Sequence, residues 1–442
     1  MARRIGLTKI GGAMATVLAV GLLLWPGPAA FAQGKTKIVF WHAMSGRRLP
    51  AVEKLVNGFN EAHPNIQVEA QFTGKYKELL AKCIAAVRAG KPPHICQVYE
   101  VGTRTMLDSD AIVPVYTLAK GDADWGNIVT PILNYYSVGG KLYSMPFNSS
   151  TAILYYNKDI FQKAGLDPNK PPTTFKDVER MGRRIVESGA APNAITFGWP
   201  DWTFEQMHAI HSQFYANNED GRKAMASKVY MNRPFGVKVL ERWTDWSKKK
   251  ILIYGGTEYS PNRAFLASQV AMLIQSTSSV GSIGKKAKFR LGTTFLPRMK
   301  GYPRGNSVIG GATLWVIKGH PQKEYGAVWE FLKWVIRDSV TATWHKDTGY
   351  FPATNTAVKN LLDEGWFSAN PNHLTAFLQI LSGTRTPASQ GVILGSFVQI
   401  RTIFRTAMEK ALAGRATPKQ ALDEATAKAN KALQDYAAVV KK

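Results

Sequence analysis

The stretch "PFNSSTAILYYN", residues 146–157, decides how this chain is organised. Four small polar residues, Asn148, Ser149, Ser150 and Thr151, run directly into the apolar Ala152-Ile153-Leu154-Tyr155-Tyr156. A buried strand ordinarily follows a turn and is apolar or alternating along its length. A strand entered through three hydroxyls and an amide reads instead as a crossing between two cores. Its polar part would lie on the floor of a cleft, and its apolar part would enter the second core. Desolvating those polar groups without partners would cost about 1–3 kcal/mol each, so they read as groups awaiting a polar ligand, with water filling the open state.

A matching crossing appears at "NSVIGGATLWV", residues 306–316. Its Gly310-Gly311 pair lacks the Gly-Lys-Ser/Thr ending of a phosphate loop and precedes a strand, which argues against nucleotide binding. Paired glycines in a crossing allow close approach of backbone to ligand, or a hinge. Upstream, Lys37–Trp41 reads as a strand, and Leu49, Val52, Leu55, Val56, Phe59 and Ala62 mark one face of a helix ended by Pro64-Asn65. A strand at Ile66–Ala70, a helix over Tyr76–Ala89 and a strand at His94–Tyr99 complete a βαβαβ series, which implies a parallel sheet covered by helices. Ligands bind beyond the carboxyl ends of such strands. That singles out His42, Met44 and Ser45, then Thr73 to Tyr76, then Glu100, Gly102 and Thr103. Downstream of Tyr155 the alternation resumes. Helices are expected over Thr174–Ser188, Phe235–Lys249 and Gln322–Ile336, and strands at Ala271–Ile274, Phe289–Phe295 and Thr313–Ile317. Thr417, Pro418 and Gln420 stand at cap, first and third positions of a last long helix.

Residues 1–32 have the pattern of an export signal. Arg3, Arg4 and Lys9 precede an apolar run, Ala13–Trp25, and Ala30-Phe31-Ala32 offers a small-x-small cleavage site. The Arg-Arg pair leaves both general and twin-arginine export open, and no lipobox cysteine follows. The two cysteines, Cys83 and Cys96, are too few for a disulfide framework; they are either a single bridge or two buried thiols. The chain carries 56 Lys and Arg against 31 Asp and Glu, a net charge of +25. The cations are scattered, with no arginine-rich tail, zinc spacing or nucleic-acid motif, so a nucleic-acid partner is not expected. The excess reads as a general surface property or as steering of an anionic solute. The eight histidines are dispersed. His208 and His211 lie three apart without a carboxylate or cysteine set to complete a metal site. No Gly-x-Ser-x-Gly elbow or acid–base carboxylate pair is present, and no metal, cofactor or catalytic residue is assigned.

"YYNKDIFQKAGLDPNKPPTTFKDV" (155–178) and "TPKQALDEATAKANKAL" (417–433) resemble the extracellular solute-binding proteins of ABC importers. "VFWHAM", "QVYEVGT", "PFNSST", "IGGATLWV", "WHKDTGYFP" and "QIRTIF" are similar, in order and in register, to the glycerol-3-phosphate-binding members of that family. The resemblance implies an α/β, two-lobe periplasmic-binding-protein fold, each lobe a mostly parallel sheet flanked by helices, joined by crossover hinge segments. It places lobe 1 at 33–148 and 310–345, lobe 2 at 149–309, and mainly lobe 2 helices at 346–442. It implies a periplasmic monomer that delivers a small phosphoester to a membrane-embedded ABC permease with its ATPase subunits.

By the same resemblance the ligand-binding residues are Tyr76, Glu100, Ser150, Ser276, Gly311, Tyr350 and Arg401, with Trp199 and Trp202 as a pair walling the pocket. Around Ser276 the sequence "AMLIQSTSSVGS" departs from the family pattern, and a neighbouring hydroxyl is an alternative. Arg401 offers a planar fork for phosphate, and the nearest acid in sequence is Glu409. Glu100 would repel a phosphate dianion, so it is expected at the opposite end of the ligand, accepting from glycerol hydroxyls. The tryptophans offer apolar faces to the glycerol carbons or to a trimethylammonium head. Two alternatives stay open: a receptor for a neutral sugar or polyol, and a secreted glycerophosphodiester hydrolase.

Overall fold

The structure, a computed structural model, describes residues 34–440. The export signal expected over 1–32 lies outside the described residues. In chain order the strands are β1 (Thr36–His42), β2 (Ile66–Phe72), β3 (Ile95–Tyr99), β4 (Ile112–Val113), the short hairpin of β5 (Ser137–Val138) and β6 (Lys141–Leu142), β7 (Met145–Ser150), β8 (Ala152–Asn157), β9 (Asn193–Phe197), β10 (Val270–Ser276), β11 (Leu291–Thr294) and β12 (Gly310–Ile317).

Two sheets form the centres of the molecule. In the first the order is β2-β1-β3-β12-β4, with β7 also paired to β12; in the second it is β11-β8-β10-β9. The expected βαβαβ series is present: β1 pairs parallel with β2 and β3, with helices Leu49–Ala62 and Tyr76–Arg88 between them. The first helix turns Ala51, Val52, Leu55, Val56 and Phe59 inward, where Phe59 meets Phe331 of the helix Gln322–Val335.

The sheets are mixed rather than mostly parallel. β12 runs antiparallel to β3, β4 and β7, and β8 runs antiparallel to β10 and β11. The physical reason lies in the crossings. A parallel partner needs a crossover within its own sheet, whereas β8 and β12 arrive from the other sheet and are free of that constraint.

The crossing at 146–157 is a single residue wide. β7 ends at Ser150 in the first sheet and β8 begins at Ala152 in the second. Thr151 between them is tied on three sides. Its N–H donates to Thr277 Oγ1 (3.3 Å), its carbonyl accepts from the Thr277 N–H (2.9 Å), and its hydroxyl donates to the Val308 carbonyl (3.1 Å) on the return crossing. Asn148 accepts from Gln97 Nε2 (2.7 Å) and donates to the Tyr76 hydroxyl (2.7 Å). The expectation that all four polar residues face a ligand is therefore corrected. Thr151 and Asn148 serve the fold, and Ser150 alone of the four lines the cavity described below.

Local sequence explains the second half. Thr174 and Asp177 form a capping box at 3.1 and 3.0 Å, starting the helix Phe175–Glu187. The expected Thr417/Gln420 reciprocal pair is present at 3.2 and 3.1 Å, ahead of the helix Pro418–Val440. That helix packs against Phe397–Leu412.

Cys83 and Cys96 are joined as a disulfide, both fully buried. The bridge ties the helix Tyr76–Arg88 to β3. Closing a loop of 13 residues removes chain entropy from the unfolded state worth about 3 kcal/mol. The double variant Cys83→Ala/Cys96→Ala is expected to lose about that much in urea unfolding, and dithiothreitol should lower the wild-type midpoint without affecting the variant.

Candidate functional site

All nine sequence-predicted residues, Tyr76, Glu100, Ser150, Trp199, Trp202, Ser276, Gly311, Tyr350 and Arg401, line one cavity between the two sheets, together with Tyr99, Tyr259 and Gly310. The cavity is about 40 Å³ and shares Tyr76, Tyr99, Trp199, Tyr259, Tyr350 and Arg401 with an outer cleft of about 630 Å³. The residues arrive from strand ends and helix starts. Glu100 follows β3, Ser150 and Ser276 end β7 and β10, and Gly311 opens β12.

Backbone geometry fixes several of them. Gly311 has φ +108°, and a Cβ there would lie 1.8 Å from the Asn148 carbonyl oxygen; any side chain would push β7 and β12 apart. Trp199 holds φ +50° at the start of the helix Pro200–Ile210, a left-handed conformation that non-glycine residues seldom keep without surrounding support. Its ring meets Tyr259 edge-on at 5.5 Å. The Tyr76 ring stacks on Tyr99 at 5.2 Å, and its hydroxyl, held by Asn148, lies 3.5 Å from that of Tyr350. Ser276 Oγ is 3.0 Å from Ser278 Oγ, so the neighbouring hydroxyl left open by the sequence is part of the same group.

The electrostatics differ from the sequence expectation at Arg401. Its guanidinium is buried and clamped by the Glu205 carboxylate, Nε to Oε1 at 2.7 Å and Nη2 to Oε2 at 2.7 Å. Nη1 reaches Glu100 Oε1 at 2.9 Å. Arg401 thus has two close acids, neither of them Glu409, and Glu100 stands beside it, not at the opposite end of the site. Burial pushes the Glu205 carboxyl up, to about 7, against the pull of Arg401, and burial also raises Glu100. Two acids on one guanidinium leave no net positive charge there. Glu205 was missed because it sits mid-helix in "DWTFEQMH", where every residue from Pro200 to Ile210 is buried. The signal was an acid on a helix with no exposed face.

A second cation was also missed. Arg48 lines the outer cleft, with its guanidinium 4.7 Å from the Tyr259 ring centroid and 5.6 Å from that of Tyr350. Its Nη2 donates to Ser278 Oγ at 3.1 Å. Its neighbour Arg47 donates to the Ser278 carbonyl. Burial would raise the Tyr350 phenol, but the Arg48 charge and hydrogen bonds with Tyr76 and Ser278 hold it below its ordinary value. The loop after β1 had been singled out through Ser45, three residues short of Arg48.

His94, His320 and Glu324 come within metal-ligand reach of one another. The Val39 N–H donates to His94 Nδ1 (3.0 Å), so Nε2 carries the proton given to Glu324 (2.9 Å). The two rings are stacked at 3.8 Å, so their in-plane lone pairs run side by side rather than converging. These bonds make the group a structural one. His208 and His211 each bond a helix carbonyl through Nδ1.

Removing Arg401 strands two buried acids. Arg401→Met is expected to cost about 3–5 kcal/mol at pH 8. Because burial raises the folded pKa of both carboxyls above the unfolded value, the penalty is full above the folded pKa and shrinks as pH falls through it toward the unfolded pKa. Urea unfolding at pH 8 and pH 5 should show the smaller loss at pH 5; an equal loss at both would contradict the buried ion group.

The family model for bacterial extracellular solute-binding proteins matches residues 54–375. The sn-glycerol-3-phosphate-binding periplasmic protein UgpB of Yersinia pseudotuberculosis serotype I (strain IP32953) is 35% identical over 417 residues, covering 92% of this chain and 94% of that one. UgpB of Escherichia coli (strain K12) is 36% identical over 431 residues, covering 96% and 97%. Among solved structures, UgpB from Mycobacterium tuberculosis in complex with glycerophosphocholine superposes with TM-score 0.77 at 21% identity, covering 91% of this chain and 99% of that one. The cyclic alpha-maltosyl-1,6-maltose binding protein from Arthrobacter globiformis gives 0.75 at 21%, covering 91% and 100%. These last two likenesses speak to fold alone. With a family match over most of its length and relatives above 30% identity across nine-tenths of it, this chain belongs to the bacterial extracellular solute-binding proteins.

Proposed function

We propose that this protein is the receptor of an ABC importer, exported to the periplasm, that captures sn-glycerol 3-phosphate or a glycerophosphodiester between two lobes and passes it to a membrane permease. The observation that carries this reading is convergence. Nine residues from segments scattered between 76 and 401 line one small cavity, in a chain whose relatives are named for glycerol-3-phosphate binding. The two sheets are the cores of the lobes, and closure brings Glu100 on one side against Arg401 and Glu205 on the other. The buried disulfide suits an oxidising compartment. No described helix is long and apolar enough to cross a membrane.

A neutral polyol is the second reading. It is favoured by one observation, the cancellation of the Arg401 charge by Glu205 and Glu100. A hydrolytic role gains nothing from the cavity, whose one lining acid, Glu100, is engaged with Arg401.

Calorimetric titration of the mature protein separates these readings. Glycerol 3-phosphate and glycerophosphocholine are expected to bind at micromolar Kd, about −8 kcal/mol, four or five charge-assisted bonds less the cost of ordering and closure. Inorganic phosphate should bind more weakly, and maltose not at all. Tight maltose or glycerol binding without phosphoester binding would favour the second reading, and turnover of glycerophosphocholine would show an enzyme.

A further inference from the structure

We infer that the ligand's phosphate is seated at Arg48, among the hydroxyls of Tyr76, Tyr259, Tyr350 and Ser278, and that Arg401 is a charge-neutralised positioning residue for Glu100. This rests on the phosphoester reading above and assigns which cation of the cleft the charge meets.

The cleft contains five cations: Arg48, Lys75, Lys77, Arg401 and Arg405. Arg401 is shared between two carboxylates, Lys75 pairs with Glu258 at 3.1 Å, and Arg405 lies 3.9 Å from Asp201. Lys77 is exposed. Among the described residues no carboxylate lies within 4.0 Å of Arg48 or of Arg47 beside it. A dianion placed at Arg401 would meet two acids for one guanidinium. Placed at Arg48 it meets an uncompensated cation with a second directly behind it.

Donor geometry agrees. Arg48 Nε is buried without a partner, and it is the one guanidinium or ammonium donor among the described buried atoms in that condition; the rest belong to hydroxyls, indoles and imidazoles. Its Nη2 already shares Ser278 Oγ with Tyr259 (3.3 Å), so the hydroxyls that would complete the phosphate shell are tied to the same point. Size agrees as well. The inner chamber around Glu100 is about 40 Å³, whereas Arg48 faces the outer cleft of about 630 Å³. A diol end fits inward on Glu100, and a phosphate, with or without an esterified head, projects outward onto Arg48. Ser278 and Tyr259 come from the second half of the chain and Arg48 from the first, so an anion at this point would also draw the halves together.

Titration calorimetry with glycerol 3-phosphate and glycerophosphocholine tests the assignment, using melting temperature to confirm folding. Arg48→Met is expected to weaken both ligands by about 10- to 100-fold and to flatten the dependence of log Kd on log[KCl]. Arg48→Lys, which keeps the charge and the aliphatic stem, should recover part of the affinity and the salt dependence, and it stands in if the methionine variant folds poorly. Wild-type affinity in Arg48→Met, a loss with unchanged salt dependence, or a tenfold gain in Glu205→Gln through release of Arg401 would each overturn the assignment while leaving the phosphoester reading standing. Failure of the wild-type protein to bind either phosphoester would overturn both.

Discussion

The group formed by Glu100, Glu205 and Arg401 is the interaction on which the rest of the site depends. Glu100 leaves the end of β3, while Glu205 and Arg401 project from the helices Pro200–Ile210 and Phe397–Leu412, which pack on each other. Three ionisable side chains are buried together at the junction. Burying any one alone would cost several kcal/mol, so each constrains the other two. The group therefore ties the end of β3 to the two helices, fixes Glu100 in the chamber, and removes net positive charge from its centre.

Most of the architecture was legible in the sequence because the signals are local. Helical spacing from Leu49 to Ala62, the Thr417/Gln420 cap pair and the abrupt polarity change at 148–152 each depend on residues within one turn or one strand. The mixed direction of the sheets was not legible in that way. Whether β12 runs with or against β3 depends on where the chain was before Gly310, a property of the whole path. The positions of the nine cleft residues came from family resemblance, and the structure brings all of them to one cavity. Their electrical states did not come with them. Arg401 looked free because its nearest acid in sequence is Glu409, yet Glu205, far upstream, is the acid it meets. Nothing local in the sequence marks Tyr259, Tyr350 and Ser278 as neighbours of Arg48. Charge pairing across long sequence separations is what one sequence hides best.

The polar junction illustrates how a correct inference can rest on a partly wrong cause. Small polar residues do mark the passage between cores, but most of them satisfy the backbone of the passage itself. Thr151 bonds Thr277 and, at Val308, the return crossing, and Asn148 relays between Gln97 and Tyr76. A chain that moves from one sheet to another in a single residue must find hydrogen-bond partners for that residue without a ladder on either side, and hydroxyls and amides supply them.

The disulfide has a bearing on recognition as well as on stability. Cys83 lies two turns into the helix that begins with Tyr76, and Cys96 lies in the strand that delivers Glu100. The covalent link ties together the helix and the strand whose far ends carry a phenol and a carboxylate of the cavity. Closing the bridge is in that sense a final machining step: with both thiols reduced the chain carries the same side chains, but the helix bearing Tyr76 and the strand leading to Glu100 lose their covalent tie.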